Sequence, residues 1–165
     1  MAKVSLKGTE VNTSGNLPAT GEKAPDFVLV DQGLQSVNLG NFAGKKKILN
    51  IFPSMETATC GLSVRTFTEK AASRGDCVLL HISADLPFAG KRFCAAEGIE
   101  NAHTLSTFRG SFPKDYGLQM MDGKLAGLCS RVVLILDEDD KVIYSEQVAA
   151  IENEPNYEKA LQALP

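Results

Sequence analysis

Polar and apolar residues alternate from the start of the chain. In KVSLKGTEVNTSG (3–15) the alternation runs to either side of Lys7-Gly8 and predicts a small N-terminal β-hairpin. A second hairpin is predicted over DFVLVDQGLQSVNLGNFAG: Phe27, Val28, Leu29 and Val30 form one arm, Asp31-Gln32-Gly33 the turn, Val37 and Leu39 the return. KKILNIF (46–52) reads as an apolar strand. Helical rhythm then runs from about Thr57 to Ser73, with Leu62, Val64, Phe67 and Ala71 as the buried stripe. CVLLHIS (77–83) is a continuous apolar run, expected of a strand covered on both faces. PFAGKRFCAAEG (87–98) has Pro87 at a helix start and Gly98 just past its end. HTLSTF fits a short strand. In RVVLILDEDDKVIYSEQV two β-rich runs flank the acidic turn Asp137–Asp140, an antiparallel hairpin, and NYEKALQAL (156–164) closes the chain as a helix.

Strands separated by helices require parallel crossovers. The order therefore predicts an α/β fold: a central mixed sheet flanked by helices on both faces, with an antiparallel edge. The length of 165 residues suits one domain (1–165), with the first hairpin (1–17) as an extension.

Charge and composition narrow the function by exclusion. Hydrophobic residues make up 44% and charged residues 22%, and the net charge of −3 points to neither nucleic acid nor a membrane as partner. No apolar run approaches the roughly 20 residues that span a bilayer. The opening residues lack the apolar core of a secretory signal, so a cytoplasmic protein is expected. The four cysteines, Cys60, Cys77, Cys94 and Cys129, include no C-x₂₋₄-C pair, and only His81 and His103 could supplement them in a metal site. Neither a metal centre nor a disulfide scaffold is expected, which leaves buried thiols, reactive thiols or both.

Cys60 stands where the strand gives way to the helix. If Thr57 caps that helix, Cys60 falls in its first turn, where unpaired N–H groups and the helix dipole favour an anion, and thiols so placed can titrate at roughly 3.5–7.5. A small hydrophobe on a buried helix face is the other reading, and position alone leaves both open. Arg131 opens a run apolar on both faces, so its guanidinium is either at a wet strand end or aimed at an anion.

Pro53, Thr57 and Cys60 fit the P-x-x-x-T-x-x-C pattern of peroxiredoxins. NIFPS, TATCGLSVRTF, HISADLPFAGKRFCAAEGIEN, LSTFR and the hairpin from Arg131 resemble the thiol peroxidase branch of that family, over nearly the whole chain. Glu56 departs from it, at a loop position where many relatives carry aspartate. The resemblance implies a thioredoxin-like fold and a thioredoxin-dependent peroxidase with no cofactor. Cys60 would be the peroxidatic cysteine, Cys94 the resolving one through an intrachain disulfide, and Thr57 and Arg131 the groups that hold thiolate and peroxide. Pro53 would shield the sulfur, and Arg131 is preferred to Arg65 or Arg109 for the guanidinium. It further implies that thioredoxin is the reductant and that the protein is a homodimer. Two helix cysteines in a folded core do not ordinarily bring their Cα atoms within the roughly 4.4–6.8 Å of a disulfide, so both cysteine segments are expected to unwind in each turnover. A non-catalytic peroxide sensor or redox relay using the same pair is the alternative; a general thiol–disulfide oxidoreductase would need the missing C-x-x-C.

The remaining candidates have plainer readings. Cys77 and His81 are expected in the core, His103 at the surface, and Cys129 as an oxidisable bystander near Arg131. Lys45, Lys46 and Lys47 read as a solvated loop end. Met120 and Met121 fill gaps or line an apolar pocket.

Overall fold

The computed structural model describes residues 2–71 and 74–165. In chain order its strands are β1 (Lys3–Leu6), β2 (Thr9–Asn12), β3 (Leu29–Val30), β4 (Ser36–Val37), β5 (Lys46–Ile51), β6 (Cys77–Ser83), β7 (His103–Ser106), β8 (Val132–Leu136) and β9 (Val142–Gln147). The helices are α1 (Ala58–Ala71), α2 (Pro87–Glu97), α3 (Phe112–Asp115) and α4 (Tyr157–Gln162), with a 3-10 turn at Leu39–Phe42. The end expected for α1, at Ser73, lies outside the described residues.

β1 and β2 pair by themselves, and the other seven strands form one sheet in the order β4-β3-β7-β6-β5-β8-β9. β5, β6 and β7 run parallel; β8 is antiparallel to β5, and β3 to β7. The sheet therefore has antiparallel strands at both edges, not one, because the second hairpin adds its own arm beside β7. The return arm of that hairpin is shorter than expected, since Leu39 already belongs to the 3-10 turn.

Alternation along the strands separates two cores. On one face Ile48, Leu79, Val133 and Ile135 meet Phe67 and Ala71 of α1 and Ala160 of α4. On the other, Leu49, Ile51, Leu80, Ile82, Val132 and Leu134 are covered by Phe27, Phe42, Phe112 and Tyr116. The crossovers β5-α1-β6 and β6-α2-β7 advance across the sheet in the same direction, so right-handed connections place α1 and α2 on the same face. α2 sits close to β7: a Cβ at Gly90 would lie 2.6 Å from Thr104 Oγ1, a spacing only glycine allows. The helix ends at Gly98 in a left-handed conformation (φ 67°).

Two expected placements are reversed. Leu62 is exposed, and polar Ser63 is buried in its place. The inward stripe runs Cys60, Val64, Phe67, Ala71, and Ser63 joins it because its hydroxyl donates to Cys60 O (2.8 Å) and accepts from Asn50 Nδ2 (3.3 Å). Lys47 is not solvated but fully buried on β5, its ammonium donating to Lys45 O (3.0 Å) and paired with Asp140 (2.5 Å). A lysine stem can lie in a core when its head finds partners at the rim.

Candidate active site

Antiparallel pairing brings together what lies far apart in the chain. Ile51 at the end of β5 pairs with Val132 at the start of β8. Pro53 and Arg131 therefore leave the sheet at the same end, where α1 also begins. Thr57 is the N-cap of α1: its hydroxyl accepts from the Cys60 amide (3.3 Å), and its carbonyl accepts from Gly61 N (2.9 Å). The same hydroxyl donates to Ser54 O (3.1 Å), so it closes the turn before the helix and does not point its proton at the sulfur.

Cys60 is 1% exposed, among Phe52, Met55, Val64 and Phe93. Arg131, directly before β8, is 2% exposed and spreads its three nitrogens over three environments. Nε donates to Ile151 O (2.9 Å) and Nη2 to Cys60 Sγ (3.3 Å), whereas buried Nη1 has no partner among the described residues. A buried guanidinium N–H without an acceptor is costly, and it fits an acceptor arriving from outside. Arg65 is engaged elsewhere, with Glu97 (3.3 Å), and Arg109 lies over the Phe108 ring (5.1 Å).

A cavity of about 670 Å³ opens onto this corner. Pro53, Thr57, Cys60 and Arg131 form its floor, and Leu6, Val11, Leu125, Leu128 and Ile151 form apolar walls. The redoxin family pattern matches residues 19–161. The chain belongs to the redoxin family. It is 50% identical to the thiol peroxidases of Mycobacterium tuberculosis and Mycobacterium bovis over 164 residues, 99% of this chain and of each relative. The peroxiredoxin-like protein from Aquifex aeolicus has the same fold, with a TM-score of 0.92 at 32% identity over 99% of this chain and 98% of that one. A thiol peroxidase from Chromobacterium violaceum also reaches 0.92, at 25% identity over 99% and 96%. The thioredoxin-like peroxiredoxin fold implied by the motifs is thus the fold observed.

The N-terminal hairpin of this redoxin lies before the family match, yet it supplies Leu6, Lys7, Thr9 and Val11 to the cavity. It is pinned there by Ser5 N to Ala149 O (2.8 Å) and Ile151 N to Ser5 O (2.9 Å). Nothing in its alternating pattern indicated a wall of the site. Leu125 and Leu128 were missed too, being in a loop without periodicity. Met120 is buried behind the cavity with Val4 and Val11, and Met121 is exposed, so neither lines it.

Cys94 is buried on α2 with its thiol free, and faces Gln32 and Thr104. Its neighbour Phe93 is the residue that packs against Cys60. Burial pushes the Cys94 thiol up, partly offset by hydrogen bonds from Gln32 and Thr104. Cys129 is fully buried and pushed up to about 12, so it stays protonated. Cys77 is half-buried and also raised by burial. His81 is a core residue: burial lowers it to about 3, Asn50 Nδ2 faces its Nδ1 (3.1 Å), and its Nε2 faces Thr68 Oγ1 (3.1 Å). Exposed His103 stacks edge-on against Phe42 (5.1 Å).

Proposed function

We propose that this redoxin is a thioredoxin-dependent peroxidase in which Cys60 reduces hydrogen peroxide and organic hydroperoxides. The Cys60 thiolate attacks one oxygen of ROOH. The O–O bond breaks, sulfur is oxidised to the sulfenic acid, and the leaving alkoxide takes a proton to depart as ROH. Little is asked of the protein beyond alignment and stabilisation of charge moving onto the leaving oxygen. Arg131 meets that demand with Nη2 on the sulfur and Nη1 for the peroxide; Thr57 can serve once its proton turns from Ser54 O. Pro53, buried and without an N–H, keeps water from the sulfur. The observation that carries the reading is the unpartnered Nη1 beside Cys60 at the floor of the cavity.

The Cys94 thiol then displaces water from the sulfenic sulfur, and exchange with the thioredoxin dithiol returns both thiols. With Cys94 turned toward Gln32 and Thr104, and its neighbour Phe93 packed in the Cys60 cluster, the disulfide requires α2 and the start of α1 to unwind. The chain acts as one thioredoxin-like domain in the cytoplasm, as a homodimer whose apolar contact draws on exposed Leu86 and Phe88.

Peroxide turnover with thioredoxin, its reductase and NADPH is the test. Wild type should consume many equivalents per chain, and Cys60→Ser none. Cys94→Ser should oxidise once and then lose cycling. Equal activity in all three overturns the assignment, and a single equivalent from wild type would mark a sensor.

A further inference from the structure

Asp85 lies between β6 and α2, two residues before Pro87, and contributes nothing to the cavity. Its carboxylate nevertheless accepts three hydrogen bonds. Oδ1 takes Ser54 Oγ–H (2.7 Å); Oδ2 takes the Met55 amide (2.9 Å) and Ser83 Oγ–H (2.7 Å). Ser54 and Met55 are two of the three residues between Pro53 and the Thr57 cap. The consequence passes on through Ser54: its carbonyl accepts from both the Thr57 amide (3.1 Å) and the Thr57 hydroxyl (3.1 Å), and that hydroxyl receives the Cys60 amide. Asp85 thus fixes Ser54, Ser54 orients Thr57, and Thr57 holds the first turn of α1. The bond to Ser83 ties the same carboxylate to the end of β6, in the turn that leads into α2, the helix of Cys94.

We propose that Asp85 is a positioning residue for the peroxide reaction, a carboxylate clamp joining the Cys60 loop to the end of β6. Resting on the peroxidase reading above, it sets the balance between two arrangements. In the packed one Cys60 meets peroxide; in the unwound one its sulfenic acid meets Cys94. Two bonds from the Cys60 loop to one carboxylate favour the packed arrangement, and no counterpart is needed on the unwound side. Loss of the clamp therefore moves the two half-reactions in opposite directions. In the packed arrangement the sulfenate sulfur can also attack a second peroxide, breaking its O–O bond to give sulfinic acid and, after protonation of the alkoxide, ROH, so the clamp governs over-oxidation as well.

The test separates the steps. Oxidation of Cys60 is timed by stopped flow in a Cys94→Ser background, and release of water to form the disulfide is timed with both cysteines present. In Asp85→Ala, oxidation should slow roughly tenfold or more, the scale of a lost hydrogen bond to a charged group. Disulfide formation should be faster, and sulfinic acid per turnover should fall. Asp85→Asn, which keeps one acceptor oxygen, and Ser54→Ala, which removes one bond of three, should lie between. Ser54→Ala also serves should Asp85→Ala not fold. Hydrogen exchange supplies a readout independent of activity: amides 55–61 should exchange about tenfold faster in Asp85→Ala, with β5 and β6 unaltered. A proportional loss in both steps, or unchanged rates and exchange, overturns the clamp. An inactive wild type overturns the peroxidase reading; an active one alongside a wild-type-like Asp85→Ala overturns only the clamp.

Discussion

Arg131→Met removes the charge at the Cys60 corner while keeping an apolar stem in the same volume. Three donor positions are lost at once: Nη2 on the sulfur, the unpartnered Nη1, and Nε on Ile151 O. The first two act on the reaction. Removing one preorganised donor from a developing oxyanion costs about 10²–10³ in rate, or about 2.7–4 kcal/mol of barrier. A buried, charged donor belongs at the upper end of that range, and loss of the guanidinium also withdraws its stabilisation of the attacking thiolate. The expected fall in the second-order rate of Cys60 oxidation is therefore about 10³. The third donor acts on the fold: Ile151 O loses its partner, at about 1–3 kcal/mol. The two effects separate experimentally. Stopped-flow oxidation in the Cys94→Ser background reads the first, and urea unfolding the second. Arg131→Lys keeps the charge but not the fork that reaches sulfur, carbonyl and cavity together, so it should recover only part of the rate. If Arg131→Met oxidised within about threefold of wild type, Arg131 would be a structural residue and the assignment of the site would fail.

Four further outcomes follow from buried groups and their partners. His81 is neutral in the fold, burial holding it near 3, whereas the unfolded chain takes up its proton near 6.5. Its contribution is thus intact above pH 6.5 and is lost as pH falls toward 3, at about 1.4 kcal/mol per unit. From pH 7 to 5.5, wild type should lose about 1 kcal/mol more than His81→Gln in urea unfolding, and parallel losses would refute this. Cys129, at about 12 and fully buried, should resist alkylation and peroxide in the native protein at pH 8, contrary to the oxidisable bystander of the sequence reading; mass spectrometry of the digest checks it. Asp140→Gly suits the left-handed backbone at that position (φ 65°) but strands the buried Lys47 ammonium, and should cost about 3 kcal/mol. Lys47→Met, which leaves only the partly solvated carboxylate unpaired, should cost under about 1 kcal/mol by urea unfolding.

The amino-acid sequence by itself determined the local pieces of this protein. Period-two and helical patterns located the core strands and the three longer helices, because side-chain alternation and capping act over a few residues. The strand–loop–helix junction carrying Pro53, Thr57 and Cys60 was legible for the same reason. Short elements were not: α3 and the 3-10 turn at Leu39–Phe42 span four residues each, too few to show a period. Tertiary structure alone decided the rest. Arg131 reaches Cys60 only because β8 pairs antiparallel with β5 in the register that sets Val132 beside Ile51. Leu62 points outward and Ser63 inward because the sheet beneath offers Asn50, a polar partner that no helical wheel records. The N-terminal hairpin becomes a cavity wall through two backbone bonds to residues 149 and 151. Each of these depends on contact between segments distant in the chain, and on that scale local hydrophobic pattern carries no information.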